Sequence, residues 1–192
     1  MRLFVAAEPS EAVRHAASAV SRNVRAALES RRMGGGLRWV PEENLHLTVW
    51  FLGEVSDNRA ATVLDALRPP VAVPPFVLHL SGLGAFPPTG PPRVFWMGVA
   101  RGREELARIH DELGTRLAPL GFVGEGRPYS AHLTLARVKE PPPSSVRAVI
   151  RQLLRETDAD AGSCQIEALT VFRSRTSPRG ATYEPLLRVP LG

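Results

Sequence analysis

"NLHLTVWFLG" at residues 44–53 and "SAHLTLARVK" at residues 130–139 share the triplet His-Leu-Thr, and each triplet lies in a run typical of a β-strand. The whole chain of 192 residues contains only five histidines. Two copies of one triplet in matching contexts are not expected by chance. The two runs therefore indicate an internal duplication, with one His-Leu-Thr strand in each half of the chain.

Strict alternation of side chains predicts what each strand presents on its two faces. In the first strand, His46 and Thr48 share one face with Trp50, and the leucines share the opposite face. In the second strand, His132 and Thr134 share one face in the same way. Each strand is therefore expected to bury leucines on one side and to present a histidine and a threonine on the other.

The rest of the chain alternates predicted strands and helices. Apolar residues at helical spacing predict helices at 11–32, 57–68, 103–121 and 144–156. Strand patterns occur at 2–8, 45–52, 76–84, 93–100, 131–138, 164–175 and 182–191. This order predicts an α+β fold of two similar, intertwined lobes that face each other across a cleft, all within a single domain, 1–192.

The bulk composition sets the class of protein. Hydrophobic residues make up 44% of the chain and charged residues 22%, which is ordinary for a soluble globular protein. The sequence contains no run of about 18 apolar residues, which is the length that would predict a membrane span. The short apolar run at the N-terminus meets Glu8 and Pro9 too early for a signal peptide, so a cytoplasmic location is expected. The single Cys164 excludes an internal disulfide framework and a cysteine-based zinc site.

The chain is basic, with a net charge of +5, and 23 of its 24 basic residues are arginine. Arginine suits bidentate contact with phosphate groups. A genome with GC-rich codons gives the same excess of arginine without any functional meaning. The charge therefore permits a polyanionic partner and does not establish one.

The paired histidines suit one particular chemistry. If two imidazoles flank a phosphoryl group, one can take a proton from an attacking water while the other protonates the leaving oxygen. Threonine hydroxyls two residues along can hydrogen-bond the non-bridging phosphate oxygens. No metal is required. A 2′,3′-cyclic phosphate suits such a site, because its strained five-membered ring opens more easily than an ordinary diester.

Other interpretations stay open at this point. A lone histidine in a strand is usually structural, and His15, His79 and His110 are interpreted in that way or as exposed residues. A zinc site is less favoured, since neither strand offers an H-x-H or H-E-x-x-H arrangement. No G-x-S-x-G context indicates a serine nucleophile. Arg127 and Tyr129, just ahead of the second motif, are either part of a solvated loop, which is favoured, or residues that reach substrate. The basic stretch "RSRTSPRG" (173–180) is interpreted as a surface turn or an RNA guide.

The stretches "HLTVWFLG" and "HLTLAR" resemble the paired H-x-T-x motifs of the two-histidine (2H) phosphoesterase superfamily. Within it, the sequence is most similar to the RNA 2′,3′-cyclic phosphodiesterase family, historically called 2′-5′ RNA ligase. The resemblance extends along nearly the whole chain, through "MRLFVAAEPS", "LRWVPEENLHLT", "LGAFPPTGPPRVFWMGV" and "LTVFRSRTSPRGATYEPL". Ala131 departs from the family pattern, which usually has proline immediately before the second motif.

This resemblance implies a bilobal α+β fold with mainly antiparallel sheets and a central active-site cleft. It also implies metal-independent hydrolysis of RNA 2′,3′-cyclic phosphate ends to 2′-phosphates, without a cofactor, and a reverse activity that joins 2′,5′ ends. His46 and His132 match the catalytic histidines, with His132 as the base and His46 as the acid. Thr48 and Thr134 match the threonines that contact the phosphate. The active protein is expected to be a monomer.

Two further family residues are harder to place. Arg137 matches an arginine that contacts the phosphate, and Phe51 matches an aromatic residue that can stack on a base. Each lies five residues after its histidine, so strict alternation puts it on the leucine face. Both reach the cleft only if their strands bulge or end there. A non-catalytic RNA or nucleotide binding module on the same scaffold remains the alternative function.

Overall fold

The computed structural model describes residues 1–124, 126, 128–177 and 180–192. The strands are β1 Arg2–Ala7, β2 Leu37–Trp39, β3 Leu47–Glu54, β4 Phe76–Phe86, β5 Val94–Arg101, β6 His132–Val138, β7 Asp160–Ile166, β8 Ala168–Ser177 and β9 Gly180–Pro190. The helices are α1 Glu11–Ser30, α2 Asp57–Leu67, α3 Arg103–Leu117 and α4 Ser144–Glu156. The predicted position of every helix is confirmed, and α4 has the predicted bounds.

The strands form two antiparallel sheets. The four-stranded sheet has the order β3-β1-β8-β9, and the five-stranded sheet has the order β2-β6-β5-β4-β7. Each sheet therefore combines strands from both halves of the chain. One His-Leu-Thr motif belongs to each sheet, since β3 is in the first sheet and β6 in the second. The predicted α+β fold is confirmed, and that the whole chain is one domain stays a prediction.

One predicted strand is wrong. The run 164–175 contains parts of two strands, β7 and β8, which are separated by the single residue Glu167. β7 pairs with β4 in the five-stranded sheet, whereas β8 pairs with β1 and β9 in the four-stranded sheet. The chain thus changes sheets at Glu167 without a glycine or proline, the residues that usually mark such a break. β2 is a further strand that the sequence did not predict.

The helices cover the buried faces of the sheets. α1 begins after Ser10, whose side-chain oxygen accepts a hydrogen bond from the Val13 N–H over 3.4 Å, as a helix N-cap does. α1 contacts β6 and β7, and α4 contacts β4, whereas α3 contacts β3 and packs with α2. The helices therefore divide between the sheets, and a continuous apolar core runs beneath both of them.

The core leaves one face of each sheet available for a site. Leu3 and Val5 of β1 are fully buried on one face of the four-stranded sheet. Leu133 and Met97 are fully buried on the corresponding face of the five-stranded sheet. The opposite faces carry the histidines and are called the cleft faces below. None of the helices in the described residues is both long and apolar enough to cross a lipid bilayer.

Candidate active site

The two histidine motifs begin their strands. His46 lies immediately before β3, one residue outside the strand predicted to contain it, and His132 is the first residue of β6. β3 and β6 belong to different sheets but contact each other. The Tyr129 hydroxyl, just ahead of β6, donates a hydrogen bond to the backbone carbonyl of Thr48 over 3.1 Å. The fold therefore brings the two motifs together.

A β-bulge follows the threonine in each motif. In β3, Thr48 pairs with Ala6 and Trp50 pairs with Val5, so Val49 between them has no partner. In β6, Thr134 pairs with Trp96 and Ala136 pairs with Phe95, so Leu135 has no partner. Both extra residues stand directly after His-Leu-Thr. The duplication thus extends from the sequence to this backbone irregularity.

The bulges decide which residues share the cleft faces, because directly paired residues in neighbouring strands point to the same side of a sheet. Beyond the bulge, Phe51 pairs with Phe4 and therefore shares the face of Thr48. Arg137 pairs with Val94 and shares the face of Thr134. The bulge needed for Phe51 and Arg137 to face the cleft is present in both strands.

The same bulges correct the prediction for Trp50, which strict alternation placed beside His46. Trp50 pairs with the fully buried Val5 and is itself only 6% exposed, so it packs in the core. Its ring lies 4.7 Å from the ring of His110 on α3. Trp50 does not line the cleft, because the extra residue Val49 reverses the alternation after Thr48.

Both histidines are held by the same kind of hydrogen bond. The Nδ1 atom of His46 lies 2.8 Å from the carbonyl oxygen of Asn44, and Nδ1 of His132 lies 2.7 Å from that of Ser130. A carbonyl oxygen only accepts hydrogen bonds, so each Nδ1 carries the proton and donates it. The Nε2 atom of each ring is therefore the one that can gain or lose a proton. Any residue can supply a backbone carbonyl, which is why the sequence carries no signal for these partners.

The Nε2 atom of His46 lies close to the threonine of its own motif. It is 3.1 Å from the Oγ1 atom of Thr48. When the ring is neutral, the threonine hydroxyl donates this hydrogen bond to Nε2. The contact helps to fix the orientation of the imidazole.

Aromatic rings surround His46. The Phe4 ring stacks on the imidazole with a centroid separation of 4.8 Å, and the Tyr183 ring meets it edge-on at 5.1 Å. A cavity of about 530 Å³ opens beside these rings, and its wall includes Glu8 and Thr170. The sequence did not predict Phe4 or Tyr183 as neighbours of the histidine, since they come from β1 and β9.

Burial lowers the pKa of His46 below the ordinary value of 6.5. Removing the ring from water is the largest cause, because burial penalises the charged form. The hydrogen bond to Asn44 opposes this shift, and the positive charges of Arg137 and His132 add to it. The ligand-free site therefore favours a neutral His46, and it senses the charges of the second motif across the cleft.

Three residues interpreted from the sequence as structural or solvated have defined contacts. The His110 ring stacks on the Tyr129 ring with centroids 4.7 Å apart, so the interpretation of Tyr129 as part of a solvated loop is wrong. His79 lies on β4, where its Nδ1 is 2.7 Å from the Ser163 hydroxyl. Arg127 lies outside the described residues, as do Pro178 and Arg179 of the basic stretch 173–180.

The second histidine has its own aromatic neighbour. The Phe86 ring of β4 meets the His132 ring edge-on, with centroids 5.0 Å apart. Within the part of the chain that the structure describes, no group of three or more His, Cys, Asp or Glu side chains is arranged to hold a metal ion. The two motifs bring two imidazoles, two threonine hydroxyls and the Arg137 guanidinium to the cleft faces.

A known family model matches most of the chain. Residues 16–178 match the model of the 2′-5′ RNA ligase superfamily. A protein of Aeropyrum pernix named RNA 2′,3′-cyclic phosphodiesterase is 35% identical over 81% of this chain and 87% of its own length. A protein of Archaeoglobus fulgidus with the same name is 33% identical over 97% of this chain and 98% of its own.

Solved structures show the same fold. A protein of Thermus thermophilus, TT0787, superposes with a TM-score of 0.71 at 28% identity, over 100% of this chain and 98% of its own. The Escherichia coli LigT protein in complex with 3′-AMP gives a TM-score of 0.68 at 26% identity, over 99% of this chain and 97% of its own. The fold is thus shared over nearly the full length of these proteins.

Proposed function

Because this chain belongs to the 2′-5′ RNA ligase superfamily, we propose that it hydrolyses RNA 2′,3′-cyclic phosphate ends to 2′-phosphomonoesters by general acid–base catalysis with His46 and His132. Its relatives in Aeropyrum pernix and Archaeoglobus fulgidus carry the name of this activity. One observation supports the mechanism most strongly. His46 and His132, from motifs on two different sheets, each donate a hydrogen bond from Nδ1 to a backbone carbonyl, so Nε2 is the atom of each ring that exchanges a proton.

The proposed reaction is an in-line displacement at phosphorus. His132 Nε2 takes a proton from a water molecule as the water oxygen bonds to phosphorus, and the bond from phosphorus to the ribose 3′ oxygen breaks. His46 Nε2 donates its proton to that 3′ oxygen. The products are a 2′-phosphate and a free 3′ hydroxyl, and proton exchange with solvent restores both rings. A ribose 5′ hydroxyl in place of water would give the 2′,5′-joining reaction.

The lowered pKa of His46 fits the role of the acid once substrate is bound. In the ligand-free site, burial favours the neutral ring. A phosphate group between the histidines brings negative charge next to His46, and an opposite charge favours the protonated form. Burial also makes the protonated ring a stronger acid. This eases transfer of the proton to the 3′ oxygen, which is a poor leaving group without it. His46 thus gains its proton together with the substrate.

The remaining motif residues would position the substrate. The Thr48 and Thr134 hydroxyls can donate to the non-bridging oxygens of the phosphate, and the Arg137 guanidinium can pair with its charge. Phe51 is 45% exposed on the cleft face of β3 and offers a ring on which a base can stack. Both motifs come from one chain, so a monomer is the proposed active unit, and the cytoplasmic location stays a prediction.

Hydrolysis of a short RNA ending in a 2′,3′-cyclic phosphate, with EDTA present, tests this function. The wild-type protein is expected to give only the 2′-phosphate, with a bell-shaped dependence of the rate on pH. His46→Ala and His132→Ala are each expected to lower kcat by roughly 10²- to 10⁴-fold. His15→Ala, which removes an exposed histidine of α1, is the matched control. Loss of turnover with EDTA contradicts the metal-independent mechanism, and binding without turnover supports the binding-module alternative.

A further inference from the structure

We propose that Arg38, which lies beside Arg137, forms a second phosphate subsite that binds the phosphodiester linking the cyclic end of the RNA to the preceding nucleotide. This proposal rests on the proposed function, because it extends the substrate from a single cyclic nucleotide to an RNA chain. It concerns a residue outside both His-Leu-Thr motifs. The argument starts from the pairing of the short strand β2 with β6.

The register places the two arginines side by side. Arg38 of β2 pairs directly with Arg137 of β6, and Arg137 pairs directly with Val94 of β5. Directly paired residues in antiparallel strands have Cβ atoms about 4.5–5.5 Å apart and point to the same face. Arg137 lies on the cleft face with Thr134, so Arg38 lies there as well.

A second observation supports the same orientation. Trp39, the next residue of β2, pairs with the fully buried Ala136, and its ring lies 6.5 Å from the buried ring of Phe95. Trp39 therefore faces the core. Neighbouring residues in a strand point to opposite faces, so the Arg38 side chain points away from the core, toward the cleft.

Two like charges directly opposite each other destabilise a pair of strands. Within the described residues, neither the Arg38 nor the Arg137 guanidinium forms an ion pair with an acidic side chain. Both side chains are exposed. An anionic ligand would offset the repulsion between them, and a polyanion with regularly spaced phosphates suits a site with two adjacent guanidinium groups.

Arg38 also lies close to the start of β9, and β9 in turn contacts the residue that holds His46. A Cβ atom built on Gly180 would lie 3.1 Å from a guanidinium nitrogen of Arg38, so the guanidinium approaches the start of β9 closely. The next residue, Ala181, accepts a hydrogen bond over 3.0 Å from the side chain of Asn44, whose own carbonyl holds His46. A chain that leaves the phosphate between the two histidines thus finds Arg38 at the edge of the same cleft.

The chemistry decides which ligand the subsite takes. A mononucleotide 2′,3′-cyclic phosphate has one phosphate, which the proposed mechanism places between the histidines with Arg137. An RNA end has a further phosphodiester one nucleotide upstream, with a single negative charge. Arg38 provides the additional cation for that charge. Arg38 is therefore expected to make the protein prefer RNA chains to single cyclic nucleotides as substrates.

The test compares three substrates: adenosine 2′,3′-cyclic phosphate, the dinucleotide ApA with a 2′,3′-cyclic end, and the same dinucleotide with an uncharged methylphosphonate linkage. The wild-type kcat/KM is expected to be roughly fivefold higher for the charged than for the uncharged dinucleotide, as one exposed ion pair allows. In Arg38→Gln this ratio is expected to fall to about one. Arg38→Lys keeps the charge and is expected to keep most of the ratio.

Arg155→Gln, which removes an exposed arginine of α4 and the same unit of charge, is the matched control and should keep the wild-type ratio. The logarithm of kcat/KM for the charged dinucleotide should also lose about 0.7 of its slope against the logarithm of salt concentration in Arg38→Gln. A wild-type ratio near one overturns the proposal. So does an equal loss for all three substrates in Arg38→Gln, which would place Arg38 at the reacting phosphate.

Failure of the proposed function gives a different result. In that case the wild-type protein turns over none of the three substrates. The dissociation constant of the uncharged dinucleotide divided by that of the charged one then replaces the ratio of kcat/KM. A ratio above one in favour of the charged linkage, lost in Arg38→Gln, still supports the subsite, and equal affinities overturn it.

Discussion

The hydroxyl of Tyr129 donates a hydrogen bond to the backbone carbonyl of Thr48 over 3.1 Å, which joins the approach to one histidine motif to the middle of the other. Burial raises the pKa of Tyr129, so the hydroxyl stays protonated and remains a donor. The Tyr129 ring stacks on His110, which in turn packs on Trp50. The two histidine motifs are thus linked by a hydrogen bond and by aromatic contacts that end on Trp50, a residue of the core.

Tyr129→Phe is expected to destabilise the protein, because it leaves the Thr48 carbonyl without this partner and keeps the aromatic stack. The free energy of unfolding should fall by about 1 kcal/mol, and kcat should fall several-fold as the motifs become less well positioned. Urea denaturation and steady-state kinetics measure the two effects. Tyr183→Phe, which also removes one phenolic hydroxyl, is the stability control, and an unchanged midpoint in Tyr129→Phe would show that the hydrogen bond contributes nothing.

Phe51→Ala is expected to weaken substrate binding with little effect on the chemical step. The ring is 45% exposed and has the Arg2 guanidinium 4.9 Å from its centroid, so its removal costs little core packing. Loss of stacking on a base should raise KM about tenfold while kcat stays near the wild-type value. Phe51→Trp preserves an aromatic surface and should keep the wild-type KM. A fall in kcat at constant KM would place Phe51 in the chemical step instead.

Thr48→Val is expected to lower kcat/KM by roughly 10- to 100-fold, because the nearly isosteric side chain cannot donate to the phosphate or to His46 Nε2. Thr134→Val should have a similar effect from the other sheet. The matched control is Thr115→Val on α3, whose exposed hydroxyl donates a hydrogen bond to the Asp111 carbonyl of its own helix. Wild-type kinetics in both motif variants would argue against phosphate contact by the threonines.

His46 should make the stability of the protein depend on pH. Its pKa is lowered in the folded state, so below pH 6.5 the unfolded chain binds more protons at this residue than the folded chain. The free energy of unfolding should therefore decrease as the pH falls through this range, and less steeply in His46→Gln, which removes the titrating ring. Urea midpoints at pH 7.5 and 5.0 measure the difference. The same decrease in both proteins would be inconsistent with a buried neutral His46.

The spacing of apolar residues along the sequence predicted much of the fold. Helix α4 has the predicted bounds 144–156, and α1 begins at the predicted residue 11. The change of sheet at Glu167 could not be predicted, because the residues on either side continue a strand pattern and no turn residue interrupts it. Such a crossover is fixed by the partners that each strand finds, which lie far away in the sequence.

That the two His-Leu-Thr motifs belong together could be predicted from the sequence, whereas the sheet face of each neighbouring residue could not. The repeated His-Leu-Thr triplet indicated His46 and His132 directly. Strict alternation then placed Trp50 in the cleft, and the bulge at Val49 moves it into the core and brings Phe51 to the cleft face. A bulge depends on the register of the neighbouring strand, so a single strand's period does not reveal it.

The division of labour between the two histidines is tested most directly with a substrate whose leaving group needs no proton. We would measure single-turnover hydrolysis of a 2′,3′-cyclic phosphate in which sulfur replaces the bridging 3′ oxygen, because a thiolate leaves without protonation. With this substrate, His46→Ala is expected to recover to within about tenfold of the wild-type rate, since general acid catalysis contributes roughly 10²- to 10⁴-fold with oxygen. His132→Ala should remain slow. Recovery of neither variant, or of His132→Ala in place of His46→Ala, would contradict the account.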